Sequence, residues 1–367
     1  MNILIVTGER SAENYASLLV DEFKRIDPSL VFYSVSSDVL SKTTNKIADY
    51  REISVIGIKE AIGVAKRAFA LLKKVKAFIT DGGIDAVILM DFPEFNMRLA
   101  RFAYSAGKKV IYYISPQVWA WRSYRTRSLF EYSHLVVPIL PFERLFFSVR
   151  GVEKNRIAYF GHPLVDLLHN RIGKHKKENV FLLMPGSRVS EIEHNAEEML
   201  KASEQIASKL NGVSFVWALA PHLPEELILD YLERYPFVKV VRDSHSWMDR
   251  SLMGILKSGT TTLEAAIFNL PMVVVYRLSR LSLGLGRLLI KNIKHISLPN
   301  LIAGASVVPE LIGGAANAQS IADACLELYN NPERIKKQRE ALRGVVSVLG
   351  EYPVSEKIAR RMYEVLQ

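Results

Sequence analysis

The sequence predicts an α/β protein with two doubly wound, Rossmann-like domains that face a cleft, and a helical C-terminal tail. Short apolar runs alternate with helical patterns over about the first 160 residues, and the alternation starts again near residue 180. This alternation is typical of parallel sheets that are covered by helices. Helical periodicity then continues without a strand pattern over about the last 45 residues.

The predicted strands fall into two groups. In the first domain they are Ile3–Val6, Ala86–Met90, Lys109–Tyr113 and Leu135–Pro138. In the second they are Val180–Met184, Val213–Ala218, Val238–Val241, Gly254–Leu256 and Met272–Tyr276. A connection rich in Gly, Pro, His and Lys separates the groups at 161–178. We expect domains over 1–165 and 166–335, and C-terminal helices over 336–367.

The chain of 367 residues carries 48 Lys and Arg against 38 Asp and Glu, a net charge of +10. This surplus suits an anionic partner, and charge alone leaves nucleic acid, acidic lipid and a phosphorylated substrate open. The one cysteine, Cys325, excludes an intrachain disulfide and fits a reducing compartment. Because neither a signal peptide nor an apolar stretch of about 20 residues is present, we expect a cytoplasmic protein whose membrane contact is peripheral.

A strand-to-helix turn at the start of the second domain has the composition of an anion site. Gly186, Ser187 and Arg188 follow the strand at 180–184 and precede a helix predicted to begin near Ser190. Free backbone N–H groups and the positive end of the helix dipole meet at such a turn, and an arginine fork suits a phosphate. The alternative is an ordinary turn with an exposed arginine.

A second turn of this kind contains Ser258, Gly259 and Thr260. Its hydroxyls could hold a diphosphate or only cap the following helix. Glu264, one turn into that helix, could accept hydrogen bonds from a ribose diol or serve only as a favourable first-turn charge. Two such turns in one domain point to a nucleotide diphosphate. Neither is a Walker A motif or a GxGxxG motif, which disfavours ATPases and dehydrogenases.

Asp91 is the candidate general base. It follows the predicted strand at 86–90, so it would stand at the strand's carboxyl end, where ligands of doubly wound sheets bind. The alternative is that Asp91 or Glu94 caps the helix that begins near Pro93.

Aromatic residues alternate with arginines over 113–127. Such a run could stack nucleic-acid bases, contact a sugar or a lipid phosphate, or simply pack in the domain. The candidates for acceptor contact are Ser115, Gln117, Trp119 and Arg122.

Eight motifs are spread over residues 91–304: DFPEFN at 91–96, YISPQVWAWR at 113–122, LPFE at 140–143, GHPLVD at 161–166, PGSR at 185–188, SGTTTLE at 258–264, PMVVVYR at 271–277 and SLPNLIAG at 297–304. In these motifs and their order the chain resembles the lipid-A-disaccharide synthase family. The resemblance implies a glycosyltransferase-B fold. It also implies inverting transfer of 2,3-diacylglucosamine from UDP onto 2,3-diacylglucosamine 1-phosphate at the inner membrane of a Gram-negative bacterium, which yields a β(1→6)-linked disaccharide 1-phosphate and UDP.

The resemblance also assigns roles to residues. Asp91 matches the family's proposed base, and Glu9 matches the acid of its first turn. Arg188, Glu264 and Asn300 match positions of its nucleotide site. The resemblance further implies that the C-terminal helices at 336–367 either return to the first domain or exchange between protomers of a homodimer. The chain departs from the family pattern at three positions: Ala12 stands for Gly, Glu13 for Asp, and Gly313 for Gln.

An amphipathic helix is predicted over 58–79. One of its apolar stripes contains Ile58, Ile62, Ala65, Phe69 and Leu72, and a second contains Val64, Ala68, Leu71, Val75 and Phe78. The two stripes span about 200°, twice what a core-facing helix needs, and lysines and an arginine fill most of the remainder. We expect the second stripe to face an anionic membrane, the alternative being burial on both sides. A similar basic and apolar run occupies 280–294.

Two other functions remain open. One is another UDP-sugar transferase or an epimerase of the same fold, for which His162 would be a candidate, although a Gly-His-Pro turn favours a structural use. The other is nucleic-acid binding, which is disfavoured because the basic residues cluster beside leucines rather than in a recognised motif. No His, Cys and Asp cluster has metal spacing, so we expect neither a catalytic metal nor a cofactor.

Overall fold

The computed structural model describes residues 1–53, 61–120, 122–277 and 294–367. The chain forms two compact units. The first unit comprises Met1–Leu167 and Leu349–Gln367, and the second unit comprises Leu168–Val348. In the parts of the chain so described, no helix is both long enough and apolar enough to span a bilayer.

The first unit is built on a six-stranded parallel sheet of order β3-β2-β1-β4-β5-β6. Its strands are β1 (Asn2–Val6), β2 (Val31–Val35), β3 (Asn45–Ala48), β4 (Ala86–Met90), β5 (Lys109–Tyr113) and β6 (Leu135–Val137). Its helices are α1 (Arg10–Ile26), α2 (Ala61–Asp81), α3 (Pro93–Ser105), α4 (Arg125–Glu131), α5 (Pro141–Ser148) and α6 (Leu164–Leu168). Every residue of the central strand β4 is buried, as parallel sheets between helices require.

The second unit repeats this plan with the order β12-β11-β10-β7-β8-β9. Its strands are β7 (Glu178–Met184), β8 (Ser214–Ala218), β9 (Val238–Val241), β10 (Ser251–Lys257), β11 (Met272–Tyr276) and β12 (Glu310–Ile312). Its helices are α7 (Val189–Lys209), α8 (Leu229–Arg234), α9 (Ser244–Arg250), α10 (Thr260–Ile267), α11 (Leu298–Ala303), α12 (Ala318–Tyr329) and α13 (Pro332–Ser347). Its core includes the fully buried Phe181 and Trp217.

The predicted fold class is confirmed, and three short strands were missed. The strands β2, β3 and β12 escape detection because each is only three to five residues long and carries polar or exposed positions.

The C-terminal helix α14 (Val354–Leu366) belongs to the first unit, where it packs on α1. The Asp166 carboxylate accepts hydrogen bonds from the backbone N–H groups of Val354 (2.8 Å) and Ser355 (2.5 Å) at the start of this helix. The preceding helix α13 instead packs on α10 and α11 in the second unit. Residues 336–348, expected in the tail, therefore lie in the second unit.

The predicted lipid-facing stripe on α2 is wrong for two of its members. Leu71 is 3% exposed and Val75 is 0% exposed, and both belong to the core that covers the sheet of the first unit. Ala68 is partly buried against the same core. The side chain of Val64 and the segments 54–60 and 278–293 lie outside the described residues. The inward-facing side of the helix takes residues from both predicted stripes, because Leu72 of the first stripe is also buried in this core.

Candidate active site

The turn that contains Asp91 follows β4 and has an uncommon backbone. Asp91 and Phe92 both have φ = 50°, in the left-handed region that non-glycine residues rarely adopt. Side chains hold this turn in place, because the Asp91 carbonyl accepts hydrogen bonds from Asn96 Nδ2 (2.8 Å) and from the Tyr112 hydroxyl (2.9 Å). Strained backbone conformations cluster at functional sites, where they fix the direction of a side chain. The geometry therefore supports a functional role for Asp91.

Glu9 stands in the neighbouring turn, which follows β1. A Cβ on Gly8 would lie 2.5 Å from Cβ of Phe92, so only glycine allows the two turns to pack this closely. The Glu9 carboxylate accepts a hydrogen bond from the Ser11 hydroxyl. Two candidate acids, Glu9 and Asp91, therefore occupy adjacent turns at the carboxyl edge of one sheet.

Glu94, the other acid of this motif, is paired with two arginines. Arg125 donates from Nη1 to Oε1 (2.8 Å) and from Nη2 to Oε2 (3.2 Å), and Arg122 donates from Nη1 to Oε1. The hydrogen bond from Arg125 is the main reason why the pKa of Glu94 lies below its ordinary value. A carboxylate held in this way is a weaker base, which favours Asp91 over Glu94 as proton acceptor. Arg122 itself lies beside this motif with φ = 63°.

The structure corrects the expectation for Ser115. Ser115 is buried, and its hydroxyl donates to Oε1 of Glu143, so it does not face a substrate. Trp119 is half-buried and packs edge-on against Phe142 at a centroid distance of 4.8 Å. Gln117 is exposed. Of these three candidates, Gln117 is the one whose side chain is exposed to solvent and could contact a substrate.

In the second unit, the first predicted anion turn surrounds Gly186 and Ser187. Its backbone N–H at Ser187 donates to Oε2 of Glu191 at 2.9 Å. Gly186 has φ = 152°, and a Cβ there would lie 2.3 Å from Cβ of Glu191, so the position requires glycine. The Arg188 side chain is 69% exposed, and its Nη1 lies 3.7 Å from Oε1 of Glu191.

The second anion turn joins β10 to α10. Ser258 is buried, and its hydroxyl donates to the Ile296 carbonyl at 2.8 Å, so it braces the turn. Gly259 has φ = 156° and precedes Thr260, the first residue of α10. Lys257, the last residue of β10, donates from Nζ to Oε1 of Glu191 at 2.8 Å. The Lys257–Glu191 ion pair thus connects the two turns.

Glu264 has a partner that the sequence pattern did not indicate. His245 Nε2 lies 3.3 Å from Oε2 of Glu264, and the imidazole stacks on Phe268. His245 belongs to α9 and Glu264 to α10, and only the fold brings these two helices together. The histidine orients the carboxylate that is the candidate for ribose binding.

Asn300 differs from its expected role as a direct nucleotide contact. It is buried, and Nδ2 donates to the Val308 carbonyl (2.9 Å) and to Oε1 of Glu310 (2.8 Å). Its Oδ1 accepts from the backbone N–H groups of Val307 (2.7 Å) and Val308 (2.8 Å). Because a side-chain amide has two donors and two main acceptor positions, these bonds use its full capacity. Asn300 braces the loop between α11 and β12.

His162 and Glu13 are structural in the first unit. His162 accepts from the backbone N–H of Leu164 at Nδ1 (3.1 Å), and burial lowers the pKa of His162 to about 3. Glu13 is fully buried and accepts from the backbone N–H groups of Ser37 (2.7 Å) and Leu40 (3.1 Å). Ala12 is a buried residue of α1. Its helical backbone needs no glycine.

Two parallel six-stranded sheets flanked by helices, with glycine turns at their carboxyl edges, define the glycosyltransferase-B class of fold. The UDP-GlcNAc 2-epimerase of Neisseria meningitidis, solved with UDP-GlcNAc, superimposes with a TM-score of 0.65 at 13% identity over 99% of this chain and 100% of that chain. The glycosyltransferase of kitacinnamycin gives a TM-score of 0.67 at 13% identity over 100% and 99%. These similarities are to the fold alone.

Sequence comparison identifies the family. Residues 3–358 match the family model described as lipid-A-disaccharide synthetase. The lipid-A-disaccharide synthase of Nitrosococcus oceani is 34% identical over 360 residues, 95% of this chain and 92% of that protein. That of Geobacter sulfurreducens is 35% identical over 379 residues, 99% and 97% of the two chains. The chain belongs to the lipid-A-disaccharide synthase family and is a glycosyltransferase. The resemblance seen in its motifs is confirmed, and an epimerase of the same fold is not favoured.

Proposed function

We propose that the chain transfers 2,3-diacylglucosamine from UDP-2,3-diacylglucosamine to 2,3-diacylglucosamine 1-phosphate. The products are the β(1→6)-linked disaccharide 1-phosphate and UDP. The observation that carries this proposal is the family match over residues 3–358, which spans both units. The carboxylate turn of the first unit and the two anion turns of the second unit support it.

The reaction needs a base for the acceptor and positive charge for the leaving group. Asp91 takes the proton of the acceptor 6-hydroxyl while that oxygen attacks C1 of the donor sugar from the face opposite UDP. The bond from C1 to the diphosphate oxygen breaks, and its electron pair leaves with UDP. This in-line displacement inverts the configuration at C1, as an α-linked donor and a β-linked product require.

The second unit supplies the donor contacts. Arg188 and the backbone N–H groups of Gly186, Gly259 and Thr260 meet the diphosphate, where they stabilise the charge that develops on leaving UDP. The Ser187 N–H stays bonded to Glu191. Glu264, oriented by His245, accepts hydrogen bonds from the ribose hydroxyls. Ser258 and Asn300 act indirectly, because their side chains brace the surrounding loops.

Acylated substrates require the enzyme to work at an anionic membrane surface. The exposed face of α2 supports this part of the proposal, because Phe69 is 68% exposed there. Lys66, Arg67, Lys73 and Lys74 are also exposed along the same helix. An aromatic side chain surrounded by basic residues is typical of a helix that contacts anionic lipid from one side.

The proposal is tested by incubating the protein with UDP-diacylglucosamine and the acylated monosaccharide phosphate, followed by mass spectrometry of the lipid fraction. We expect a disaccharide 1-phosphate and one UDP for each disaccharide formed. A control without the acceptor should leave the donor unchanged. Conversion of the donor to a second UDP-sugar in that control would instead indicate an epimerase.

A further inference from the structure

Lys257 lies between the two anion turns of the second unit. Its Nζ is 2.8 Å from Oε1 of Glu191 and 5.7 Å from the ring centroid of Tyr276. A Cβ added to Gly259 would lie 3.8 Å from this Nζ, whereas a Cβ added to Gly186 would lie 2.8 Å from Oε2 of Glu191. The ammonium therefore adjoins one glycine turn, and its carboxylate partner adjoins the other.

The pair is partly withdrawn from water. The side chains of Lys257 and Glu191 are 20% and 16% exposed. Burial alone would raise the pKa of Glu191, but the hydrogen bond and the charge of Lys257 bring it below its ordinary value. Glu191 is therefore an anion that holds the ammonium in one place. At this depth an electrostatic contact is screened less than it is at the surface.

Arg188 is a second cation beside the carboxylate of this pair. Arg188 lies 3.7 Å from the same Glu191 oxygen, so two cations share one carboxylate. The backbone N–H groups at the starts of α7 and α10 add partial positive charge from both sides. An ammonium has three N–H donors, so Lys257 can donate to phosphate oxygens while it stays bonded to Glu191.

We propose, on the basis of the proposed function, that Lys257 is a direct ligand of the donor diphosphate and that Glu191 positions its ammonium between the two turns. The contact sets a preference for a nucleoside diphosphate over a monophosphate, because two phosphate groups can reach both turns and the cation between them. If the ion pair were purely structural, removing Lys257 would change the affinities for a nucleoside monophosphate and a nucleoside diphosphate by the same factor.

The test is calorimetric titration of UDP and UMP into the whole chain. Lys257→Met removes the charge and keeps an unbranched side chain, and we expect UDP affinity to fall by about tenfold to a hundredfold, as for loss of one charge-assisted hydrogen bond. UMP affinity should fall by less than about threefold. Lys257→Arg should restore most of the UDP affinity. Lys209→Met is the matched control, because Lys209 is exposed at the far end of α7, about 27 Å along the helix from Glu191.

The outcomes separate this inference from the proposed function. Unchanged UDP affinity in Lys257→Met would overturn the inference, as would equal losses for UDP and UMP. Lys257→Gln, which retains a donor for Glu191, replaces the Met variant if thermal melting shows that variant to be unfolded, and the same criteria apply. Failure of the unaltered chain to bind UDP would overturn the donor site itself, and the inference with it.

Discussion

The Ser115 hydroxyl donates a 2.8 Å hydrogen bond to the Glu143 carboxylate, which is 1% exposed. Ser115 follows β5, and Glu143 lies in the first turn of α5, so the bond fastens the loop after β5 to the start of α5. The backbone N–H groups of Leu140 (2.9 Å) and Ile139 (3.2 Å) also donate to Glu143. Burial nevertheless outweighs these bonds and raises the pKa of Glu143 to about 7. A buried acid here changes charge near neutral pH.

This raised pKa predicts a pH-dependent stability. Between pH 4.5, the ordinary value, and about 7, the folded state keeps a proton that the unfolded state has lost. The contribution of Glu143 to the free energy of unfolding is therefore full below pH 4.5 and declines as the pH rises toward 7. Glu143→Gln stays neutral, so its stability relative to the unaltered chain should rise by about 2–3 kcal/mol from pH 5 to 7.5 in urea unfolding.

Glu153→Gln provides a control for this measurement, because Glu153 is exposed in the same unit. The change measured for Glu143→Gln is compared with the change measured for Glu153→Gln over the same pH interval. Parallel pH profiles for the unaltered chain and Glu143→Gln would mean that the folded protein holds Glu143 at its ordinary pKa.

The base assignment predicts a loss of turnover without a loss of UDP binding. Asp91→Asn is the appropriate variant, because Asn tolerates the left-handed backbone at φ = 50° and Ala would add strain. Removing a general base lowers the rate by about 10²- to 10⁴-fold, whereas UDP affinity should persist because the proposed diphosphate contacts belong to the second unit. Initial rates and calorimetry check the two parts. Near-normal turnover would transfer the role to Glu9, and Glu9→Gln is the variant to compare.

A site can be predicted from the sequence when the residues that form it are close together along the chain. The turns at Asp91 and Gly186 were predicted, since each lies within one strand-to-helix unit whose pattern is local. The partners of Lys257 and Glu264 were not, because Glu191 is 66 residues away from Lys257, and the His245 that meets Glu264 lies on another helix. Such pairs depend on the order of strands in the sheet, which composition and periodicity do not contain.

The expectation for Arg188 concerns binding rather than folding. Its side chain is 69% exposed, so Arg188→Ala should leave the thermal unfolding midpoint unchanged. Loss of a charge-assisted hydrogen bond to the diphosphate, worth about 1.5–3 kcal/mol, should weaken UDP binding by about tenfold to a hundredfold. Calorimetry with UDP measures this change. Unchanged affinity would exclude the contact.

Asn300 should behave in the opposite way. Replacing it with Ala leaves the carbonyl and the N–H group of the buried Val308 without their partner inside the fold, whereas the Val307 N–H keeps its bond to the Ala305 carbonyl. Each unsatisfied buried group costs about 1–3 kcal/mol, so Asn300→Ala should lower the free energy of unfolding by several kcal/mol. Urea unfolding tests this. A stable Asn300→Ala protein with much weaker UDP binding would restore the direct contact that the family resemblance implies.

The last prediction uses two residues of one predicted stripe on α2 that the fold separates. Phe69 is 68% exposed, whereas Leu72 is 7% exposed and belongs to the core. Periodicity groups them because they are three positions apart, but it cannot tell which part of an apolar surface about 200° wide meets the sheet. The serine variants of these two residues should therefore change different properties: Leu72→Ser the stability of the fold, and Phe69→Ser the binding to lipid vesicles.

Leu72→Ser removes a buried side chain and should lower the free energy of unfolding by about 2–5 kcal/mol. Phe69→Ser should leave unfolding unchanged. If Phe69 inserts into lipid, its loss removes about 1.5–3 kcal/mol of apolar burial, so affinity for anionic vesicles in co-sedimentation should fall by about tenfold to a hundredfold. The remaining binding should come from Lys66, Arg67, Lys73 and Lys74 and should weaken as salt is added. Unchanged vesicle affinity in Phe69→Ser would place the membrane contact on another surface of the protein.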